Sequence, residues 1–447
     1  MTKTTTKQLI FSFIFLVFLS LQGAVAQKFN TAKMDSLLQL LADNNKAMCS
    51  ITLKKDGKIV YSKAIGYSQI NGDTKTKSTT ETKYRIGSIS KMFTAAMIFQ
   101  LIEEKKLSLD TKLSAYYPEI ANAGKITIKN LLNHHSGIHN FTNDEDYLSW
   151  NTQAKTETEM LEIIKKGKPD FEPGTKGEYS NSNYVLLGYI LEKISKKSYA
   201  TNLQERITGK LNLKNTYYGS KTNPAKNEAY SYSYDGSKWV QESETDMSVP
   251  HGAGAILSTT EDLAVFIENL FAGKIVSESS LKEMKTMEDN YGKAVFIAPF
   301  DEHTGYGHTG GIDGFQSSLD YFPEDHMTLA FCGNGLNYNM NDIAIAALSI
   351  YFNKPYQLPS FKTVAVGTDI LKSYEGVYST KAIPLKLTIK LEGDHLTGQG
   401  TGQPAFPLES VSETEFKFDP AGVVIIFPKT GGLTLKQGGG SFDFTKE

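Results

Sequence analysis

The apolar residues of this chain keep two different periods, and the change between them falls near residue 368. Before it, helical spacing and strand alternation interleave. Beyond it only the period-two pattern of strands remains, so the chain is expected to divide into two units. In the first unit the spacing predicts a helix over 34–41, then strands over 48–53 and 58–67 joined through Asp56-Gly57, a strong hairpin signal. A helix over 88–104 carries apolar residues on more than one face and should be buried. Further helices are expected over 184–194 and over 258–271, where Ser258 and Glu261 fit a capping box. Strands over 316–321 and 327–332 flank a turn at Pro323-Glu324-Asp325, and an apolar helix closes the unit over 343–352. Two strands, a helical middle, more strands and a last helix describe an α+β fold whose sheet joins both ends of the unit. Pro355 and Pro359 mark a linker over 356–367. After it come eight short strands with no helix, over 376–379, 385–391, 395–399, 405–408, 415–418, 423–427, 433–437 and 441–444, which suggest a small antiparallel barrel or sandwich.

The first 26 residues stand apart from both units. Lys3 and Lys7 precede an apolar run over 9–21, and Ala24-Val25-Ala26 is the small-x-small pattern that a signal peptidase accepts. The run is short for a bilayer span. An export signal cut before Gln27 is therefore expected, with a periplasmic or secreted product. The chain carries 47 basic and 49 acidic side chains, a net of −2, with no basic patch. That excludes nucleic acid as an expected partner. Two cysteines, Cys49 and Cys332, make neither a disulfide scaffold nor a Cys-rich zinc site. Both sit in strand-like stretches as small apolar groups, and their pairing in an oxidising compartment is left open.

Three short stretches carry chemistry. In Ser88-Ile89-Ser90-Lys91 the hydroxyl and the amine fall at i and i+3 on one helix face, within reach of each other. The surrounding helix is apolar, which disfavours the ammonium and makes Lys91 a candidate base. The pattern alone is weak, and Ser279 to Lys282 matches it too. In Tyr179-Ser180-Asn181 a phenol beside an ammonium would ionise more easily and relay a proton, and Asn181 offers an amide to a substrate. In Gly307-His308-Thr309-Gly310-Gly311 the glycines permit close approach of a strand to a ligand. The N–H groups of Gly311 and Ser88 would form an oxyanion hole, with His308 and Thr309 facing a substrate carboxylate. His134, His135 and His139 invite a metal reading, but Ser136-Gly137 breaks any helix between them, and a packed loop with no metal is expected. No phosphate-binding glycine loop and no G-x-S-x-G occurs, so no cofactor is called for.

Taken in this order, the three stretches resemble the serine β-lactamase and DD-peptidase superfamily, in particular its class C and D-stereospecific peptidase branch. Tyr84-Arg85-Ile86-Gly87, the run from Leu131 to Ile138 and the run from Gly254 to Thr259 add to the resemblance, which covers roughly residues 30 to 355. It implies a helix-flanked antiparallel sheet over a 27–355 hydrolase domain. It makes Ser88 the acyl-forming nucleophile, Lys91 its partner and Tyr179 the acid/base residue. Asn181, His308, Thr309, Gly310 and Gly311 become substrate ligands. The tail over 368–447 resembles the lipocalin-like domain carried by many such hydrolases. One departure matters: class C β-lactamases have Lys where this chain has His308. A partly charged histidine grips a carboxylate less firmly. The weight shifts to a hydrolase of D-amino-acid peptides, amides or esters, cell-wall peptides among them, ahead of a class C-like β-lactamase or a non-catalytic binder of cell-wall peptides.

Overall fold

A computed structural model describes residues 29–447. The export signal expected over 1–26 lies outside the described residues.

The central sheet is antiparallel along Phe296–Phe300, His303–Ile312, Phe315–Phe322, Met327–Leu336, Ala47–Lys55 and Lys58–Ile65. The pairing of Ala47–Lys55 with Met327–Leu336 joins the two ends of the first unit, as the element order implied. Both strands are buried on both faces, so that Ser50 and Thr52 are buried along with their apolar neighbours. Asp56 and Gly57 take positive φ in the hairpin between Ala47–Lys55 and Lys58–Ile65.

A separate core lies on each face of this sheet. On one face the helices Thr31–Asp43 and Met340–Tyr351 pack through Met34, Leu38, Ile343 and Ala347. On the other lie Ser90–Glu103, Asn181–Ser195 and Thr260–Phe271. Every residue from Ser90 to Leu101 is buried, so that helix runs through the core without a wet face. Phe93 stacks on Phe266 with ring centroids 3.7 Å apart. Cys49 belongs to the first core and Cys332 to the second. Their strands are neighbours, but Cys332 faces Ser50, one step from Cys49. Successive side chains of a strand point to opposite faces, so the two thiols lie on opposite sides of the sheet, and both are free.

Two expectations need correcting. The helix cap is Thr259, whose side chain accepts from Asp262 N–H, and Ser258 instead ends a strand and bonds Thr216. Both residues can cap, and the pairing of Ile256–Ser258 with Tyr84–Arg85 decides between them. The tail is not free of helix: Thr368–Ser373 is helical before the first tail strand. All eight tail strands form and close into an antiparallel barrel, filled by its own core that includes Tyr378, Leu396, Phe416 and Ile425.

Candidate active site

The chain reaches Ser88 through a forced turn. Tyr84–Arg85 is held in a small sheet, and Ile86 N–H bonds Ile256 O at 3.0 Å. Gly87 then takes φ +51° and leads into a single 3₁₀ turn, Gly87–Ile89. The α-helix proper begins at Ser90, so Ser88 sits on the turn ahead of it, and no side chain caps this start. The strand His303–Ile312 crosses close by. A Cβ at Gly310 would stand 2.1 Å from Ile86 O, and one at Gly87 would stand 2.8 Å from Gly311 N. Side chains at either place would force the strand off the turn. Pairing of Phe296–Phe300 with His303–Ile312 ends at Gly307, so residues 308–312 have no ladder partner on that edge, and the cleft occupies it.

Lys91 is fully buried, and its Nζ lies 2.9 Å from Ser88 Oγ, 2.8 Å from Asn181 Oδ1 and 2.8 Å from Ala253 O. None of these partners is a carboxylate. Desolvation without a counter-charge holds the Lys91 pKa well below the ordinary lysine range. Tyr179 closes the other side: its ring centroid is 4.9 Å from Lys91 Nζ, and its phenol is near enough to Ser88 for the hydroxyl to act on it. Burial pushes the Tyr179 pKa upward, with the Ser88 contact only partly opposing it. The easier ionisation expected beside an ammonium is outweighed by this burial. Ser88, Lys91, Tyr179 and Asn181 are thus brought together from segments far apart in sequence.

His308 departs from expectation. Its ring is buried, its Nδ1 meets Thr309 O, and desolvation pulls its pKa down to about 3. It is neutral near neutral pH and packs edge-on against Phe296, its ring centroid 6.4 Å from that of Tyr179, while Thr309 is exposed. It offers no charge to a substrate carboxylate. Several residues that sequence reasoning missed hold the site. His134 stacks under Tyr179 at 4.4 Å and accepts Ser180 N–H on Nδ1 at 3.2 Å. Asn140 Oδ1 accepts Asn181 N–H, and Asn181 Nδ2 donates to Thr142. The only local signal was His134 itself, within the 131–138 run; the rest are contacts between distant segments. His135 pairs with Asp289, and His139 lies between Asp170 and Asp144. No group of three or more metal-competent side chains occurs among the described residues. Nor is any described helix long and apolar enough to cross a membrane.

A cleft of about 440 Å³ opens on Ser88, Asn181 and Gly311. Phe141, Tyr147, Leu148, Asn151, Glu242 and Asp313 are among its lining residues. A cavity of the same volume between residues 200 and 218 brings no nucleophile to a base, so chemistry and not size singles out the first.

Known proteins resemble the chain in sequence and fold. The family described as Beta-lactamase matches residues 42–351. Penicillin-binding protein 4* of Bacillus subtilis is 25% identical over 86% of this chain and 90% of its own length. Among solved structures, the octameric penicillin-binding protein homologue of Pyrococcus abyssi gives a TM-score of 0.65 at 26% identity, covering 93% of this chain and all of that one (100%). A D-stereospecific amidohydrolase from Streptomyces gives 0.59 at 26% identity, over 68% of this chain and 94% of that one.

Proposed function

Since the chain belongs to the beta-lactamase family and is a serine hydrolase of that superfamily, we propose that it is exported and cleaves D-amino-acid peptides, amides or esters through an acyl-enzyme on Ser88. The observation that carries this is the buried Lys91 amine 2.9 Å from Ser88 Oγ with no carboxylate among its hydrogen-bond partners. A neutral amine has two protons and one lone pair. It donates to Asn181 Oδ1 and Ala253 O, which leaves the lone pair for the Ser88 hydroxyl proton.

Ser88 Oγ then attacks the substrate carbonyl as Lys91 takes its proton. Ser88 N–H and Gly311 N–H are the proposed donors to the oxyanion. Collapse breaks the bond to the leaving group, which receives its proton through Tyr179, recharged from Lys91. Water repeats the sequence on the ester, releases the acid and returns the proton to Ser88. Thr309 and Gly310 are proposed to bind substrate along the free strand edge, and residues 1–26 to act as the export signal.

Two measurements test this together. A fluorophosphonate probe should label the purified protein and fail to label a folded Ser88→Ala variant. Steady-state turnover of D-Ala-D-Ala peptides, nitrocefin and p-nitrophenyl esters, run side by side, should favour peptides or esters over nitrocefin. Unchanged labelling in Ser88→Ala would remove the site.

A further inference from the structure

A histidine on the loop beside the catalytic groups has a carboxylate at each ring nitrogen. His139 Nδ1 lies 2.9 Å from Asp170 Oδ1, and its Nε2 lies 3.1 Å from Asp144 Oδ1. A neutral imidazole carries one N–H and can donate to one of the two; only the imidazolium donates to both. The hydrogen bond to Asp170 lifts the His139 pKa above the ordinary histidine range against the cost of burial, and Asp144 adds to the effect. The seat fits the ring closely: a Cβ at Gly167 would stand 2.8 Å from His139 Cβ. The side chain is 26% exposed, so it exchanges protons with solvent. The charged groups packed about it are Asp144 on its own loop and, on the segment 165–170, Asp170 with the exposed Lys165, Lys166 and Lys168; Lys165 is bonded to Glu162 at 2.7 Å. The start of the helix Asn181–Ser195 meets His139 with hydroxyls, those of Ser180 and Ser182.

What this ring holds is part of the site. His139 opens a short loop that ends at Asp144, with the turn Phe141–Asn143 between them. The His139–Asp144 pair therefore clasps the loop across its mouth. Asp170, whose N–H bonds Gly137 O at 2.9 Å, ties it to a second segment. The other contacts of the loop run toward the catalytic groups. His139 O accepts from Ser182 Oγ at 2.6 Å, Asn140 Oδ1 from Asn181 N–H at 2.9 Å, and Thr142 Oγ1 from Asn181 Nδ2 at 3.1 Å. Asn181 Oδ1 in turn accepts from Lys91 Nζ at 2.8 Å. A hydrogen-bonded path thus runs from the clasp through Asn181 to the amine beside Ser88.

We propose that His139 is a positioning residue: as an imidazolium it clasps the loop 139–144 and so holds Asn181 against Lys91, and loss of its proton loosens the loop and slows the chemistry at Ser88. This rests on acylation at Ser88. His139 acts through Asn181, so the effect falls on kcat. The clasp is whole below the ordinary histidine pKa of about 6.5 and is lost as pH rises through the higher folded value. The groups at Ser88 titrate differently. Lys91 must be neutral to act, so its contribution rises with pH, and Tyr179, with its pKa pushed up by burial, keeps its proton through this range.

The test is the pH profile of p-nitrophenyl acetate hydrolysis, corrected for the buffer reaction. In the wild-type protein kcat should fall about tenfold between pH about 6.5 and about 9. Asp170→Asn removes one of the two carboxylates and should move that fall about one pH unit lower. A folded His139→Gln, with one amide for two carboxylates and no proton to lose, should start low and show no fall. A second readout needs no turnover. Trp150 packs near Phe141 of the loop, ring centroids 6.1 Å apart, and Trp239→Phe leaves it the sole tryptophan. Its fluorescence should change with the same midpoint in that variant and stay flat once His139→Gln is added. A wild-type profile without the fall, or a fall that neither Asp170→Asn nor His139→Gln alters, overturns the proposal. If Ser88→Ala keeps its ester activity, or the wild-type protein has none, it is the Ser88 reading that fails; the Trp150 transition then decides the clasp, and its absence overturns it.

Discussion

A phenol whose pKa is raised keeps its proton at neutral pH, and this defines what Tyr179 can do at Ser88. It is a donor before it is a base, so its contribution depends on how badly the leaving group needs a proton. An anilide must be protonated to leave; a p-nitrophenoxide need not. Tyr179→Phe should therefore cost about 10² or more in kcat/KM on an anilide and much less on a p-nitrophenyl ester. Equal losses on both, read from steady-state rates, would show that the ring serves only to pack on His134. A second residue answers to pH through stability. Asp320 has only Ser318 Oγ as a partner, and burial raises its pKa from 3.8 to about 6. Between those values the folded protein holds a proton that the unfolded chain has released. Stability therefore falls as pH rises through that window and stays lower above it. Asp320→Asn should gain about 1–2 kcal/mol at pH about 8, after allowance for partial solvent contact, and little at pH about 4. Denaturant midpoints at the two pH values check the sign.

At the scale of elements, the site depends on how closely the strand His303–Ile312 passes the turn Gly87–Ile89. Gly310 and Gly311 are adjacent in sequence but differ in room. A Cβ at Gly310 meets Ile86 O at 2.1 Å and Ser317 Oγ at 2.5 Å, whereas the nearest atom to one at Gly311 is 3.9 Å away. Gly310→Ala should lose about 1–3 kcal/mol of stability and most activity, because the Ile86 backbone cannot yield. Gly311→Ala should fold with near-normal stability, and melting curves of the pair distinguish steric fit from a general intolerance of side chains. This difference was not legible in the sequence, where the two glycines look equivalent. What was legible was local: the Asp56-Gly57 hairpin, the i, i+3 spacing of Ser88 and Lys91, and the unbroken burial from Ser90 to Leu101. The carbonyl of Ala253 at Lys91 and the Asn140 and Thr142 contacts to Asn181 join segments about 40 to 160 residues apart, and no periodicity reports such meetings. The environment of His308 was hidden for a similar reason: alternation places it on one face of a strand but does not say that the face is dry.

Across the whole molecule, the barrel meets the hydrolase unit on the face of the sheet opposite the cleft. Gly422 approaches Asp342 and Asn339 at the start of the helix Met340–Tyr351, which belongs to the core of that far face. The junction is held by Lys46. Its Nζ lies 2.7 Å from Asp419 Oδ2 and 3.3 Å from Glu409 Oε1, and 5.1 Å from the Phe361 ring in the connecting segment. The Lys46 side chain is only 5% exposed and that of Asp419 12%, so the pair is shielded from water and salt in a way that surface pairs are not. Removing the lysine leaves Asp419 desolvated and unpaired, a change that costs about 3–5 kcal/mol for buried pairs. That energy belongs to the contact between the units and not to either core. Lys46→Met should therefore split a single calorimetric transition into two, with the barrel unfolding first. Hydrolysis of a p-nitrophenyl ester at a temperature between the two transitions should persist, because the catalytic groups lie on the other side of the sheet. One transition at lower temperature, with activity lost along it, would mean that the barrel supports the cleft directly.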